Sequence, residues 1–249
     1  GAELARQTAD WIAARDRAPP GRPLFVWVHF IEPHRWDLDY KQRDHGGTQQ
    51  TRYDMALEAV DEELGTVLDA AWTDARRSHT IVVVTSDHGE GLGDHNAKYH
   101  SSDLYNSQIH VPLVIAGPGV AARRLKQPIG LTTLVPTLLD LAGYVPPGPP
   151  TLDQTSLAPL LRGQRSDEVD DGFAYASMIR DRSVARSMRA IVVGRNKLIE
   201  FDDGARYEVY DLLKDRNERH DLSVKDATLL STMQQRLRDR AQLDDTTPF

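Results

Sequence analysis

The stretch His79-Thr80-Ile81-Val82-Val83-Val84-Thr85 running into Ser86-Asp87-His88-Gly89-Glu90-Gly91-Leu92-Gly93-Asp94-His95 decides the fold. Four consecutive apolar residues, Ile81 to Val84, end abruptly in a polar, glycine-rich segment, which predicts a buried strand emptying into a loop. Upstream, Met55, Leu57, Val60, Leu64, Val67, Leu68 and Ala71 recur at three- and four-residue intervals among Glu58, Asp61, Glu62 and Glu63, which predicts a helix. Downstream, Val111-Pro112-Leu113-Val114-Ile115-Ala116 reads as another strand and Leu131 to Leu141 as the next helix. Strand, helix and strand in alternation predict an α/β core, a mostly parallel sheet flanked by crossover helices.

The remaining periodicities complete the outline. Leu4 to Ala14 has helical spacing and is stopped by the breakers Pro19-Pro20-Gly21-Arg22-Pro23. Leu24-Phe25-Val26-Trp27-Val28-His29-Phe30 reads as a strand buried on both faces. From Gly143 to Pro150 the chain is rich in proline and glycine, and beyond Gly163 the pattern changes to short strands at Phe173 to Ser177, Arg189 to Val193, Lys197 to Phe201 and Tyr207 to Tyr210. They predict a small antiparallel sheet, followed by an amphipathic helix at Leu229 to Leu243. The expected domains are a core over residues 1–163 and a small α+β subdomain over 164–249.

A chain of 249 residues, 40% apolar, can bury a sizeable core. Its formal charge of −7, without a cationic cluster, argues against nucleic acid as a partner. No apolar run approaches the roughly 20 residues that cross a bilayer, so no membrane segment is expected. The absence of cysteine excludes thiolate metal sites and a cysteine nucleophile within these residues. The start Gly1-Ala2-Glu3-Leu4 has neither an initiator methionine nor a leader pattern, and the chain is expected to begin in mid-protein.

Polar residues at the carboxyl end of a strand in an open α/β sheet face the expected ligand crevice. An adjacent carboxylate and imidazole, Asp87 and His88, can ligate a divalent cation, and the neighbouring glycines permit close backbone approach. The same Asp-His-Gly is equally a polar strand exit with a capping aspartate.

The order of motifs resembles the sulfatases of the alkaline-phosphatase superfamily. Ser86-Asp87-His88-Gly89-Glu90, Leu92-Gly93-Asp94-His95, Leu104-Tyr105 and His110-Val111-Pro112-Leu113-Val114 are similar to the family's S-D-H-G-E, L-G-x-H and V-P-L series. His29-Phe30-Ile31-Glu32-Pro33-His34 resembles its H-x-x-x-P-H turn, and Val135-Pro136-Thr137-Leu138-Leu139-Asp140-Leu141-Ala142-Gly143 its P-T-L-L-x-L-A-G helix. Asn196-Lys197-Leu198-Ile199, Glu208-Val209-Tyr210-Asp211-Leu212, Asp215, Glu218 and Asp221-Leu222 resemble the K-L-I, E-L-Y-D-L, D-P-x-E and N-L series of its C-terminal subdomain.

The resemblance implies an alkaline phosphatase-like core and metal-dependent hydrolysis of sulfate esters. It makes Asp87 and His88 metal ligands, for calcium first and for manganese or magnesium as alternatives. It makes His34 and His100 catalytic contacts to the ester oxygens, with His100 standing where many sulfatases have lysine. His29, His95 and Lys98 are candidate substrate contacts, although His29 is equally a core histidine and the other two equally solvated loop residues. Asp94 is either support for a ligand or a turn former.

The formylglycine nucleophile of a C/S-x-P-x-R segment, and a paired-aspartate metal segment, are expected nearer the N-terminus than these residues; no nucleophile is expected in this chain, and turnover by it alone is not expected. The family also implies a periplasmic or extracellular location. Self-association is expected through surface that the missing half would cover. Two rivals stay open: a phosphodiesterase or phosphoglycerol-transferase type enzyme of the same superfamily acting on phosphate esters, and a non-catalytic binding module.

Overall fold

The computed structural model describes residues 1–15, 23–37, 47–144, 156–164, 172–180, 184 and 186–246. The breakers at 19–22 and most of the proline-rich stretch at 145–150 lie outside the described residues. The chain divides into two compact units, Gly1–Val83 with Ile115–Pro118, and Val84–Val114 with Gly119–Phe249.

In the first unit, helix α1 (Ala2–Arg15) packs on helix α2 (Gln49–Ala71). Ala5 and Ile12, seven residues apart and so on one helix face, meet Val67, with Phe30, Ala70 and Ala71 around them. Thr48 caps α2 by accepting the Thr51 N–H at 3.2 Å. Arg76 Nη2 donates at 2.7 Å to Ile12 O, one of the carbonyls that α1 itself leaves unpaired.

The run Leu24 to Phe30 is not a strand. Phe25 and Trp27 are 77% and 78% exposed, the reverse of burial on both faces. Apolar β-prone residues favour a strand only when a neighbour supplies the ladder of hydrogen bonds, and among the described residues none pairs with this run. Strands β1 (Val82–Thr85) and β2 (Leu113–Ala116) do form and pair with each other. β1 has the length of its apolar run, displaced by one residue, whereas β2 is shorter than the run Val111 to Ala116; both are half-buried rather than enclosed, with Val114 57% exposed.

In the second unit, strands β3 (Phe173–Met178), β4 (Met188–Val193), β5 (Asn196–Phe201) and β6 (Arg206–Asp211) form an antiparallel sheet in sequence order. Val193 pairs with Asn196, so Gly194-Arg195 is a two-residue hairpin loop, and Gly194 supplies the positive φ of 55° such loops require. Alternation along the strands gives the sheet two apolar faces. Met188, Ala190, Ile199, Phe201 and Tyr210 pack on Leu104 and Tyr105, whereas Ile191, Leu198 and Val209 pack on Met233 and Leu237 of helix α6 (Ala227–Thr246).

Short helices α3 (Asn106–Ile109), α4 (Leu134–Leu141) and α5 (Ala158–Leu161) complete this unit. α3 and α5 span one turn each, too short for an apolar period to announce them. No helix among the described residues is long and apolar enough to cross a membrane.

Candidate active site

β1 ends at Thr85, whose Oγ1 donates to Pro112 O at 2.8 Å. The chain then turns: Ser86 Oγ donates to His88 O at 2.6 Å, and Asp87 Oδ1 accepts the His88 N–H at 3.0 Å. Gly89 N donates to Gln108 O at 2.7 Å. A Cβ at Gly89 would sit 2.2 Å from Ser107 O, and one at Gly91 2.3 Å from Ala97 O, so both positions require glycine. The loop thereby threads against residues 97–99 and 107–108. It closes as a small hairpin in which Gly93 N donates to Ala97 O at 2.8 Å and Leu92 N to Lys98 O at 3.2 Å.

This threading gathers Asp87, His88 and His100. The rings of His88 and His100 stack with centroids 4.2 Å apart. His88 Nδ1 lies 2.8 Å from Gly89 O, which can only accept, so Nδ1 carries a proton and the neutral ring holds its lone pair on Nε2. That Nε2 lies 3.7 Å from Asp87 Oδ2. His100 Nδ1 lies 3.3 Å from Oε2 of the buried Glu90, whose Oε1 accepts the Gly91 N–H at 3.2 Å.

An imidazole with its far nitrogen tied to a carbonyl, beside a carboxylate, is a fitting pair of donors for a hard divalent cation. They remain a pair, for among the described residues no group of three or more His, Cys, Asp or Glu is arranged to hold a metal ion.

The other candidates are placed as follows. His95 stacks face to face on Tyr105 at 3.5 Å, and its Nε2 donates to Asn217 O at 3.1 Å. Asp94 forms an ion pair with Arg219. Lys98 is exposed and lies over the Tyr99 ring, 4.7 Å from its centroid. His34, in the 3-10 turn Glu32–Arg35, and His29 are exposed residues of the first unit.

The sulfatase family pattern matches residues 2–144. This chain belongs to the sulfatase family. A second pattern, the C-terminal part of N-sulphoglucosamine sulphohydrolase, matches residues 93–243. The Delta 4,5-hexuronate-2-O-sulfatase of Bacteroides thetaiotaomicron is 31% identical over 192 residues, covering 75% of this chain and 38% of that protein. Arylsulfatase K of Mus musculus is 31% identical over 193 residues, covering 75% of this chain and 34% of its own length. The phosphonate monoester hydrolase of Agrobacterium radiobacter superimposes with a TM-score of 0.63 at 27% identity, over 78% of this chain and 42% of that one. The chain thus spans little more than a third of the curated sulfatases it matches.

Against this family background, six residues carry roles that motif reading does not assign. Glu90 fixes His100. Lys197 and Glu218, both fully buried, form an ion pair at 2.5 Å. Burial pushes Glu218 up and Lys197 down, and each one's charge counters the effect on the other. Tyr105 OH donates at 2.6 Å to Glu208 Oε2, which also accepts from Tyr210 OH at 2.8 Å; burial and this carboxylate raise both phenol pKa values. Alternation in β5 places Lys197 on the same face as Ile199 and Phe201, and that parity was the available signal.

Proposed function

We propose that the protein hydrolyses sulfate esters and that this chain supplies part of the cation site and contacts to the ester oxygens. The observation that carries the reading is the joint placement of Asp87, His88 and His100, with His100 held by the buried Glu90. Asp87 and His88 would hold a divalent cation, calcium first, with manganese and magnesium as alternatives. When bound, such a cation stabilises negative charge on the non-bridging oxygens of the ester.

The chain's own residues do the rest. His100, its Nδ1 proton directed at Glu90, keeps Nε2 for the ester: protonated, Nε2 donates to an oxygen that gains charge or to the leaving oxygen. Glu90 holds that ring in one orientation, so the donor is in place before charge develops. His34 is assigned a second contact to ester oxygens, and His29, His95 and Lys98 are candidates for the rest of the substrate. The formylglycine nucleophile is expected from polypeptide outside these residues, and the location is expected to be periplasmic or extracellular.

The test is hydrolysis of an aryl sulfate by the full-length protein, with His100→Ala and His88→Ala variants. Losses of at least about a hundredfold in kcat/KM support the assignment; unchanged turnover in either variant removes that residue from it. Similarity to a phosphonate monoester hydrolase favours phosphate or phosphonate esters as a second reading. An aryl phosphate and a phenyl phosphonate assayed in parallel separate the two.

A further inference from the structure

We infer that the turn Asp215–Arg219 is the positioning element of the loop carrying His88 and His100, an inference that rests on reading those histidines as the site. Three consecutive residues of the turn each take hold of the site segment. Asn217 O accepts from His95 Nε2 at 3.1 Å. Glu218 Oε2 accepts the Asn106 N–H at 2.6 Å, the first amide of α3, just beyond the loop. Arg219 pairs with Asp94. Asn106 returns the grip, donating from Nδ2 to Arg216 O at 3.2 Å and accepting from Lys197 Nζ at 3.0 Å.

The turn is itself built to be rigid. Asp215 accepts the backbone N–H groups of Arg219 at 3.0 Å and His220 at 2.7 Å. Glu218 sits at φ 55°, an unfavourable region for a non-glycine residue that persists only where the surroundings over-determine it. Here they do, for Glu218 is fully buried against Lys197.

The mechanical link to the site is short. Asp94 and His95 form the tip of the hairpin closed by Gly93 N to Ala97 O and Leu92 N to Lys98 O. Glu90 and His88 lie at one end of that hairpin and His100 at the other. Fixing the tip against the turn fixes how the two ends face each other, and so the stacking of the two rings.

The experiment uses the whole chain. Lys197 and Glu218 are buried, and their loss would disturb folding; Arg219 is 55% exposed, so Arg219→Ala leaves the core intact. Hydrogen exchange at Leu92 and Gly93 should speed up about threefold to tenfold in Arg219→Ala, while Ile191 and Leu198 in the sheet stay unchanged. At a fixed pH with neutral imidazoles, the ring signals of His88 and His100 should shift and those of His79 should not. The charge-reversed pair Asp94→Arg with Arg219→Asp should restore both readouts.

Unaltered exchange at Leu92 and Gly93, or ring signals of His88 and His100 that stay put in Arg219→Ala, would overturn the inference. Calcium added to the wild-type chain tests the underlying reading separately. Loop relaxation in Arg219→Ala, with His88 signals indifferent to calcium, would keep the coupling and remove only the active-site reading.

Discussion

His88 and His100 stack with their ring planes inclined by 27° and their centroids 4.2 Å apart, although eleven residues of loop separate them in the chain. The contact depends on Glu90, whose buried carboxylate holds the His100 ring by Nδ1.

Replacing that carboxylate should therefore be felt at the chemistry. Glu90→Gln keeps the size of the side chain but offers Nδ1 only a neutral acceptor. On the proposed role of His100, kcat of the full-length protein for an aryl sulfate should fall roughly tenfold to a hundredfold, as when the partner of a site histidine is removed, with KM changing less. Equal losses in kcat and 1/KM from a protein of unchanged thermal midpoint would mean that Glu90 acts in binding instead.

Metal binding by this chain alone should be weak. A hard divalent cation takes roughly six or more oxygen-type ligands, and Asp87 with His88 supply two groups. Calorimetric titration with calcium and manganese should give dissociation constants in about the millimolar range, abolished in Asp87→Ala. Micromolar binding that survives Asp87→Ala would place the cation elsewhere.

Acid should loosen the turn beneath the loop. Burial pushes the Asp215 pKa up, but the N–H groups of Arg219 and His220 outweigh this and hold the carboxyl below its usual value. A depressed folded pKa contributes stability that is complete above the unfolded value, near pH 4, and is lost as pH falls through the folded value. Thermal midpoints followed downward from about pH 6 should therefore drop in wild type more steeply than in Asp215→Asn, the two curves converging at the acid end. Parallel curves would deny Asp215 this role.

Most of the architecture was legible in the residues. The four short strands after Gly163 are where alternation puts them, because both faces of that sheet are covered within this chain, by Leu104 and Tyr105 on one side and α6 on the other. Leu24 to Phe30 shows the limit. Its composition asks for a strand, but pairing is a property of two segments, and a run of apolar residues carries no information about whether its partner is present. In the candidate site, Asp87 and His88 were legible as residue types next to a strand end, whereas His100 was singled out by the family resemblance alone. Glu90 and Glu218 were not, since a buried glutamate is recognised only when the ring or ammonium that compensates it is seen.

The exposed run has its own consequence. Leu24, Phe25, Val26 and Trp27 are four consecutive exposed apolar residues of the first unit, and exposed apolar surface of that kind drives association. Light scattering over a concentration series should show self-association in wild type and its reduction in Phe25→Ser/Trp27→Ser. A wild-type chain that stays monomeric at about 100 μM, where contacts of micromolar affinity would be saturated, would rule this out.

The buried pair Lys197–Glu218 makes the most stringent prediction, because the cost of breaking a buried ion pair differs from the cost of replacing it. With Glu218 removed, the Lys197 ammonium would stay fully buried, with Asn106 Oδ1 as an acceptor and the charges of Asp103 and Glu208 as weaker compensation. A buried charge that has lost its ion-pair partner is penalised by about 3–5 kcal/mol, so Glu218→Leu alone and Lys197→Met alone should each be severely destabilising. The double variant removes both charges together and should recover much of the loss, giving a large positive coupling in a double-mutant cycle. It should not recover the loop, because Asn106 N would have lost the carboxylate that accepts its hydrogen bond at 2.6 Å. Denaturant unfolding reads the first effect and hydrogen exchange at Asn106 the second. If the two single losses simply add, the pair does not act as a unit.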